Sequence, residues 1–247
     1  MRLSDFTRVS ALTLNSGENY LYSAVIDPAG GYAYFGTYTT PGVVVKVRLS
    51  VFTRVGALTL TAAVNHFRSA VIDPAGGHAY FGTGTSPGVV VKVRLSDLLW
   101  VGPLTLKSGE NYLISAVIDP AGGHAYFGTG TENSPGVVVK VRLSDFTRVG
   151  ALTLNAGEDY LDSAVIDPAG GYAYFGTYTS PGVVVKVRLS DFTRVGALSL
   201  NSGEDGLASA VIDPAGGYAY FGTGTEPGIV VRIDLGHILV YLPLVFR

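Results

Sequence analysis

The 247-residue chain has no cysteine, one methionine and one tryptophan, and only 15% of its residues are charged. Without cysteine there is no disulfide and no thiolate metal site, although this absence does not assign a cellular compartment. A net charge of −2 gives no electrostatic reason to expect nucleic acid or an acidic membrane surface as partner. The four histidines, His66, His78, His124 and His237, show no ligand-like spacing, so no metal or other cofactor is expected. Long apolar runs are also missing. The longest is Ile238 to Phe246, nine residues interrupted by Pro243, too short for a transmembrane segment. The opening MRLSDFTRV lacks the apolar stretch of a signal peptide, so none is expected there. No window combines helical periodicity with caps. Hydrophobic residues nevertheless make up 47% of the chain, enough to bury a core.

What the chain has is repetition. SAVIDPAGGYAYFGT begins at Ser23, and near-copies begin at Ser69, Ser115, Ser163 and Ser209. The period is 46 residues, with one of 48 where TENSPG replaces TSPG in the third copy. Fixed-period self-similarity points to a repeat architecture.

Within one unit, SAVID is a short, β-branched run suited to a buried inner strand. DPAG (Asp27 to Gly30) fits a type I turn, with Asp at its first position, Pro next and Gly last. YAYFGT reads as a second strand, and the Pro-Gly of TPGV fits a type II turn. VVVKVRL, alternating over its second half, reads as a half-buried third strand. TRVGALTL is a fourth, with a glycine suggesting a bulge. Four strands in about 46 residues match one propeller blade.

In VIDPAGGYAYFGT and GVVVKVRLSDFTRVGALTL the unit resembles the bacterial YVTN-type repeat propellers, over residues 1 to about 235. The resemblance implies a propeller architecture and, more loosely, a surface-layer, binding or scaffold role.

Fourth-type strands follow the first four units and one stands alone at the start, Asp5 to Leu14, while none follows the fifth unit. The expected fold is therefore an all-β, five-bladed β-propeller of four-stranded antiparallel blades over 1–235, its last blade closed by the N-terminal strand. An ion pair of Asp234 with Arg2 or Arg8 is one reading of the seam, and drift is the other. Residues 236–247 form an apolar C-terminal tail, expected along a blade edge or in self-association with another chain. The tail also resembles a short terminal segment of some bacterial surface proteins, which favours a cell-surface or extracellular location.

Catalysis is not expected. Asp27, Asp73, Asp119, Asp167 and Asp213 recur as a ring, but the turn accounts for each. The recurring Lys46, Lys92, Lys140, Lys186 and Arg232 are expected to pack their stems between blades. No nucleophile can be paired with a base.

A binding face is legible where the copies differ. The position of Tyr20 becomes His66, Tyr112, Tyr160 and Gly206; that of Tyr22 becomes Arg68, Ile114, Asp162 and Ala208; that of Tyr38 becomes Gly84, Gly130, Tyr178 and Gly224. Glu18, Glu110, Glu158 and Glu204 recur nearby, replaced by Val64 in the second copy. All belong to one rim of a four-stranded meander. The ligand-binding candidates are Glu18, Tyr20, Tyr22, Tyr38, Glu110, Tyr112, Glu158, Tyr160, Asp162 and Tyr178, with drift of surface loops as the alternative. The partner expected is a protein, or a glycan if the repeats act as a multivalent lectin.

Overall fold

A computed structural model of the chain describes residues 7–236, in which no segment is helical. Blade one comprises β1 (Leu21–Asp27), β2 (Tyr32–Thr37), β3 (Val43–Arg48) and β4 (Thr53–Thr59). Blade two is β5 (Phe67–Asp73), β6 (His78–Thr83), β7 (Val89–Arg94) and β8 (Leu99–Thr105). Blade three is β9 (Leu113–Asp119), β10 (His124–Thr129), β11 (Val137–Arg142) and β12 (Thr147–Thr153). Blade four is β13 (Leu161–Asp167), β14 (Tyr172–Thr177), β15 (Val183–Arg188) and β16 (Thr193–Ser199), and blade five is β17 (Leu207–Asp213), β18 (Tyr218–Thr223) and β19 (Val230–Asp234). The chain is an all-β, five-bladed β-propeller of antiparallel sheets. Its fifth sheet has three strands, the count that closure by an N-terminal strand requires. Arg2, proposed for the seam, and the tail beyond Gly236 lie outside the described residues.

The aspartate turns form as the sequence implies. In all five, Oδ1 of the aspartate (Asp27 in blade one) accepts the N–H of the glycine three residues on, at 2.8–2.9 Å. The bulge is also present, between the pairs Lys46↔Gly56 and Val47↔Arg54. The Pro-Gly turn differs from the expected type II. The Thr40–Pro41, Ser86–Pro87, Ser180–Pro181 and Glu226–Pro227 bonds are cis, and Gly42 does not take the positive φ that type II requires. Gly42 is there for close approach instead: a Cβ would lie 2.9 Å from Phe67 and 3.0 Å from the Val64 carbonyl oxygen.

The third strand departs from its half-buried reading. Val43, Val44, Val45, Lys46 and Val47 are all buried. Blades stack face to face, so the two middle strands of a blade are covered on both sides, and alternation survives on the inner and outer strands, as in β5 and β12. Lys46 is accommodated as its long stem allows: Nζ donates to the Leu95 carbonyl of the next blade at 2.6 Å. Lys92 and Lys140 reach Leu143 and Leu189 in the same way.

Between blades, the first inner-strand residue is the plug. Phe67, Leu113, Leu161 and Leu207 are fully buried against glycines of the preceding blade, each burial stabilising by about 1.5–3 kcal/mol. Ser69, Ser115 and Ser163 donate to the carbonyls of Leu113, Leu161 and Leu207 at 2.5–2.7 Å. Inner strands therefore pack in succession, β1 on β5, β5 on β9, β9 on β13 and β13 on β17.

No comparable packing joins β17 to β1. The faces that would meet there are exposed: Leu21 and Ile26 of blade one, Val211 and Val230 of blade five. Leu12 and Leu14 lie against Val43, Val45 and Val47, as Leu58 and Leu60 lie against the valines of blade two. The N-terminal segment thus holds the fourth-strand position ahead of blade one.

Candidate functional site

The loops from strand two to strand three, and from each blade to the next, share what is here termed the upper rim. They bring the predicted residues together as neighbours of two blades at a time. A cavity of about 560 Å³ is lined by Glu18, Tyr20, Tyr38, Thr40, Pro41 and His66, so loops before, within and after blade one all contribute. The Tyr38 ring stacks on His66 with centroids 4.2 Å apart and lies 4.8 Å from Tyr22. In blade four Tyr178 pairs instead with Tyr160, the counterpart of Tyr20 in the same copy, at 5.8 Å. Tyr178 also lies over Gly206 and Gly224 of blade five, where a Cβ would come within 2.9 and 3.2 Å of its ring.

One backbone feature recurs in all five copies. Tyr20, His66, Tyr112, Tyr160 and Gly206 have φ between 50° and 60°, the left-handed region. This conformation aims the N–H of His66, Tyr112 and Gly206 at the carbonyls of Thr39, Thr85 and Thr179 in the preceding blade. For a bulky residue it costs about 1–2 kcal/mol, a cost that Gly206 escapes. Tyr20 is nevertheless 70% exposed and Tyr112 41% exposed.

The acidic candidates have a different role. Glu18, Glu110 and Glu158 are each gripped by an arginine of the same blade's fourth strand: Nε of Arg54, Arg148 and Arg194 donates to both carboxylate oxygens at 2.9–3.1 Å. Each glutamate also accepts an N–H of its own loop, from Asn15, Lys107 or Asn155. The Arg54 hydrogen bond is the main reason the Glu18 carboxyl sits below its ordinary pKa. These carboxylates anchor the rim loops. In blade two the anchor is apolar: Val64 replaces the glutamate, Trp100 stands where the arginine would be, and both join one buried cluster.

At the axis, the inner strands surround a channel of about 330 Å³ lined by Ser23, Ser69, Ser115, Ser163 and Ser209. Arg68 and Asp162 are its charged lining residues, with Ile114 between them in the chain and Ala208 beyond. Arg68 Nη2 donates to the Tyr38 hydroxyl at 3.1 Å, and the guanidinium carbon lies 4.9 Å from that ring's centroid. Burial opposes the Arg68 charge, but Tyr38 and the nearby Tyr160 and Tyr22 leave its pKa raised. Burial likewise pushes the Asp162 carboxyl up, with Arg68 acting the other way. Arg68 was not among the sequence candidates. Its signal was the one cationic residue in an otherwise variable column that includes Tyr22 and Asp162.

Among the described residues, no three His, Asp or Glu side chains gather as a metal site, and no helix is long and apolar enough to cross a membrane. No protein-family model matches the chain, and no curated protein matches it.

Proposed function

We propose that the chain is a non-enzymatic binding or scaffold module that engages its partner through the upper rim and the channel mouth. The observation carrying this reading is the set of aromatic rings at left-handed positions. The rim loops are already anchored by Glu18, Glu110, Glu158 or Val64, so Tyr20 and Tyr112 remain exposed where glycine would be less strained. Rings held on a rigid sheet end with little side-chain entropy to lose suit a recognition surface. Arg68 and Asp162 add one charge of each sign at its centre. The resemblance to YVTN-type repeats supports a bacterial surface or extracellular setting.

A second reading, a multivalent lectin, is favoured by the 560 Å³ cavity with Tyr20, Tyr38 and His66 on its walls. Open aromatic-lined cavities of this size fit sugar rings, and repeats supply avidity. A glycan array read beside affinity capture from a cell-envelope extract separates the two. Bound species should be lost on Tyr20→Ala or Arg68→Met and kept on Tyr32→Ala or Tyr172→Ala at the opposite rim. Loss only on the opposite-rim substitutions would show that the wrong face was chosen.

A further inference from the structure

The inner strand of every blade carries SAVID unchanged, but the residue before it differs in all five copies: Tyr22, Arg68, Ile114, Asp162 and Ala208. Five equal residues around an axis make a five-fold surface, as the serine ring does. Five different ones make a single asymmetric mouth. Ser69, Ser115 and Ser163 donate their hydroxyl protons to neighbouring strands, and the charged lining of the channel comes from this column alone. Arg68 gives Nη2 to the Tyr38 hydroxyl, while its Nε is buried with no hydrogen-bond partner. A buried charged donor left unmade is costly. Asp162 makes no hydrogen bond or ion pair with the described residues, and Arg68 acts on it only through its field. Base and acid thus face one channel without meeting. A second space, of about 310 Å³, adjoins it and is lined by Arg68, Tyr112, Ile114, Gly130, Glu132 and Tyr160. Gly130 stands where blades one and four have Tyr38 and Tyr178, so no ring fills this space, and a Cβ there would lie 2.7 Å from Ile114 Cδ1.

We propose that the channel mouth is a single binding site for a small zwitterion of the α-amino acid class, with its carboxylate on Arg68 Nε, its ammonium on Asp162, and an apolar side chain over Ile114 between Tyr112 and Tyr160. This names a ligand class for the binding face proposed above and rests on that reading. Charge decides the class. A ligand bearing only a carboxylate would set a second anion before Asp162, with Glu132 beside it. One bearing only an amine would leave Arg68 Nε unmade, and a neutral sugar would match neither charge. An α-amino acid carries both counter-charges on one carbon, which suits a base and an acid that share a channel without touching. The adjoining spaces of about 330 and 310 Å³ share Arg68 and Ile114, so head group and side chain each have a place. Tyrosine faces accept an alkyl chain and also attract an ammonium. Because the column differs in every copy, no other cleft between blades repeats the set.

The test is an NMR titration of the full chain with L-leucine, with isocaproate, which is leucine without the amine, and with isoamylamine, which is leucine without the carboxylate. L-Leucine should saturate at one per chain, and each analogue should bind more weakly by about tenfold or more. Asp162→Asn should weaken leucine by a similar factor yet leave isocaproate binding unchanged or stronger, which also shows that the variant is folded. Arg68→Met should weaken leucine and leave isoamylamine unchanged. Tyr172→Ala, on the opposite rim, should alter none of these. Absence of saturable leucine binding, more than one leucine per chain, or an analogue as tight as leucine would overturn the proposal. Equal weakening of leucine and isocaproate by Asp162→Asn would overturn it too. The binding-face reading is scored separately. If leucine fails while capture from the cell-envelope extract is still lost on Tyr20→Ala, only the zwitterion site falls; if both fail, both fall.

Discussion

Both rims of the propeller carry bulky residues at left-handed backbone positions, yet the two sets are used differently. On the lower rim Leu98, Phe146 and Phe192 have φ of 52–57°, and the two phenylalanine rings close over a lysine and a tyrosine of the preceding blade. For these residues packing offsets the conformational cost, whereas Phe52, at the unpacked face of blade one, has φ 47° and stays exposed. On the upper rim Tyr20, His66, Tyr112 and Tyr160 take the same conformation, but a glutamate–arginine pair or Val64 with Trp100 already holds the loop. The difference teaches that a repeated strained residue is structural where its ring supplies the anchor, and is free for recognition where another pair does.

The comparison breaks most severely if the upper-rim anchor is removed. Val64→Glu places an unpaired carboxylate among apolar neighbours and should cost about 3 kcal/mol. Adding Trp100→Arg should recover most of that, since it rebuilds the pair of the sister blades; chemical denaturation of both variants reads it. Next in size, Phe146→Ala should lose about 2 kcal/mol, because the ring is half-buried and its removal opens a space over Lys92.

A pH titration sharpens the same contrast. The folded Glu18 carboxyl lies below its ordinary value of 4.5, chiefly through Arg54. Its contribution to stability is therefore present above about pH 4.5 and is lost as pH falls through the lower folded value. Glu18→Gln should be less stable than the parent at pH 7 and should flatten that acid limb, read as Tm against pH. The Arg54 side chain is partly exposed and solvent screens the pair, so the effect should be smaller than that of Phe146→Ala. Smallest of all, Tyr112→Gly should leave stability unchanged or raise it by up to about 1 kcal/mol, because relief of the left-handed backbone opposes glycine's greater unfolded-state entropy. A loss like that of Phe146→Ala would mean that the upper-rim ring is structural after all.

Much of the candidate site was legible in the sequence because strands fixed by period left the changing columns visible. Tyr20, Tyr22, Tyr38, Tyr112, Tyr160 and Tyr178 do share a rim, and Asp162 lines the channel. The ion pairing of the glutamates was not legible, because their arginine partners lie 36–38 residues away, beyond any local pattern. A signal was nonetheless present: Glu-to-Val at 64 coincides with Arg-to-Trp at 100, at the same spacing.

By itself the sequence determined the period, the four strands per unit, the aspartate turns and the number of blades. Each of these depends on interactions within a few residues or on side-chain alternation, which local order encodes. Tertiary structure alone decided that β3 is buried on both faces, that Lys46 ends on a carbonyl of the next blade, that Pro41 follows a cis bond, and that the aromatic rim residues are left-handed. Those outcomes depend on how one blade seats against another. A chain that writes the same unit five times does not record in any one copy what will cover it.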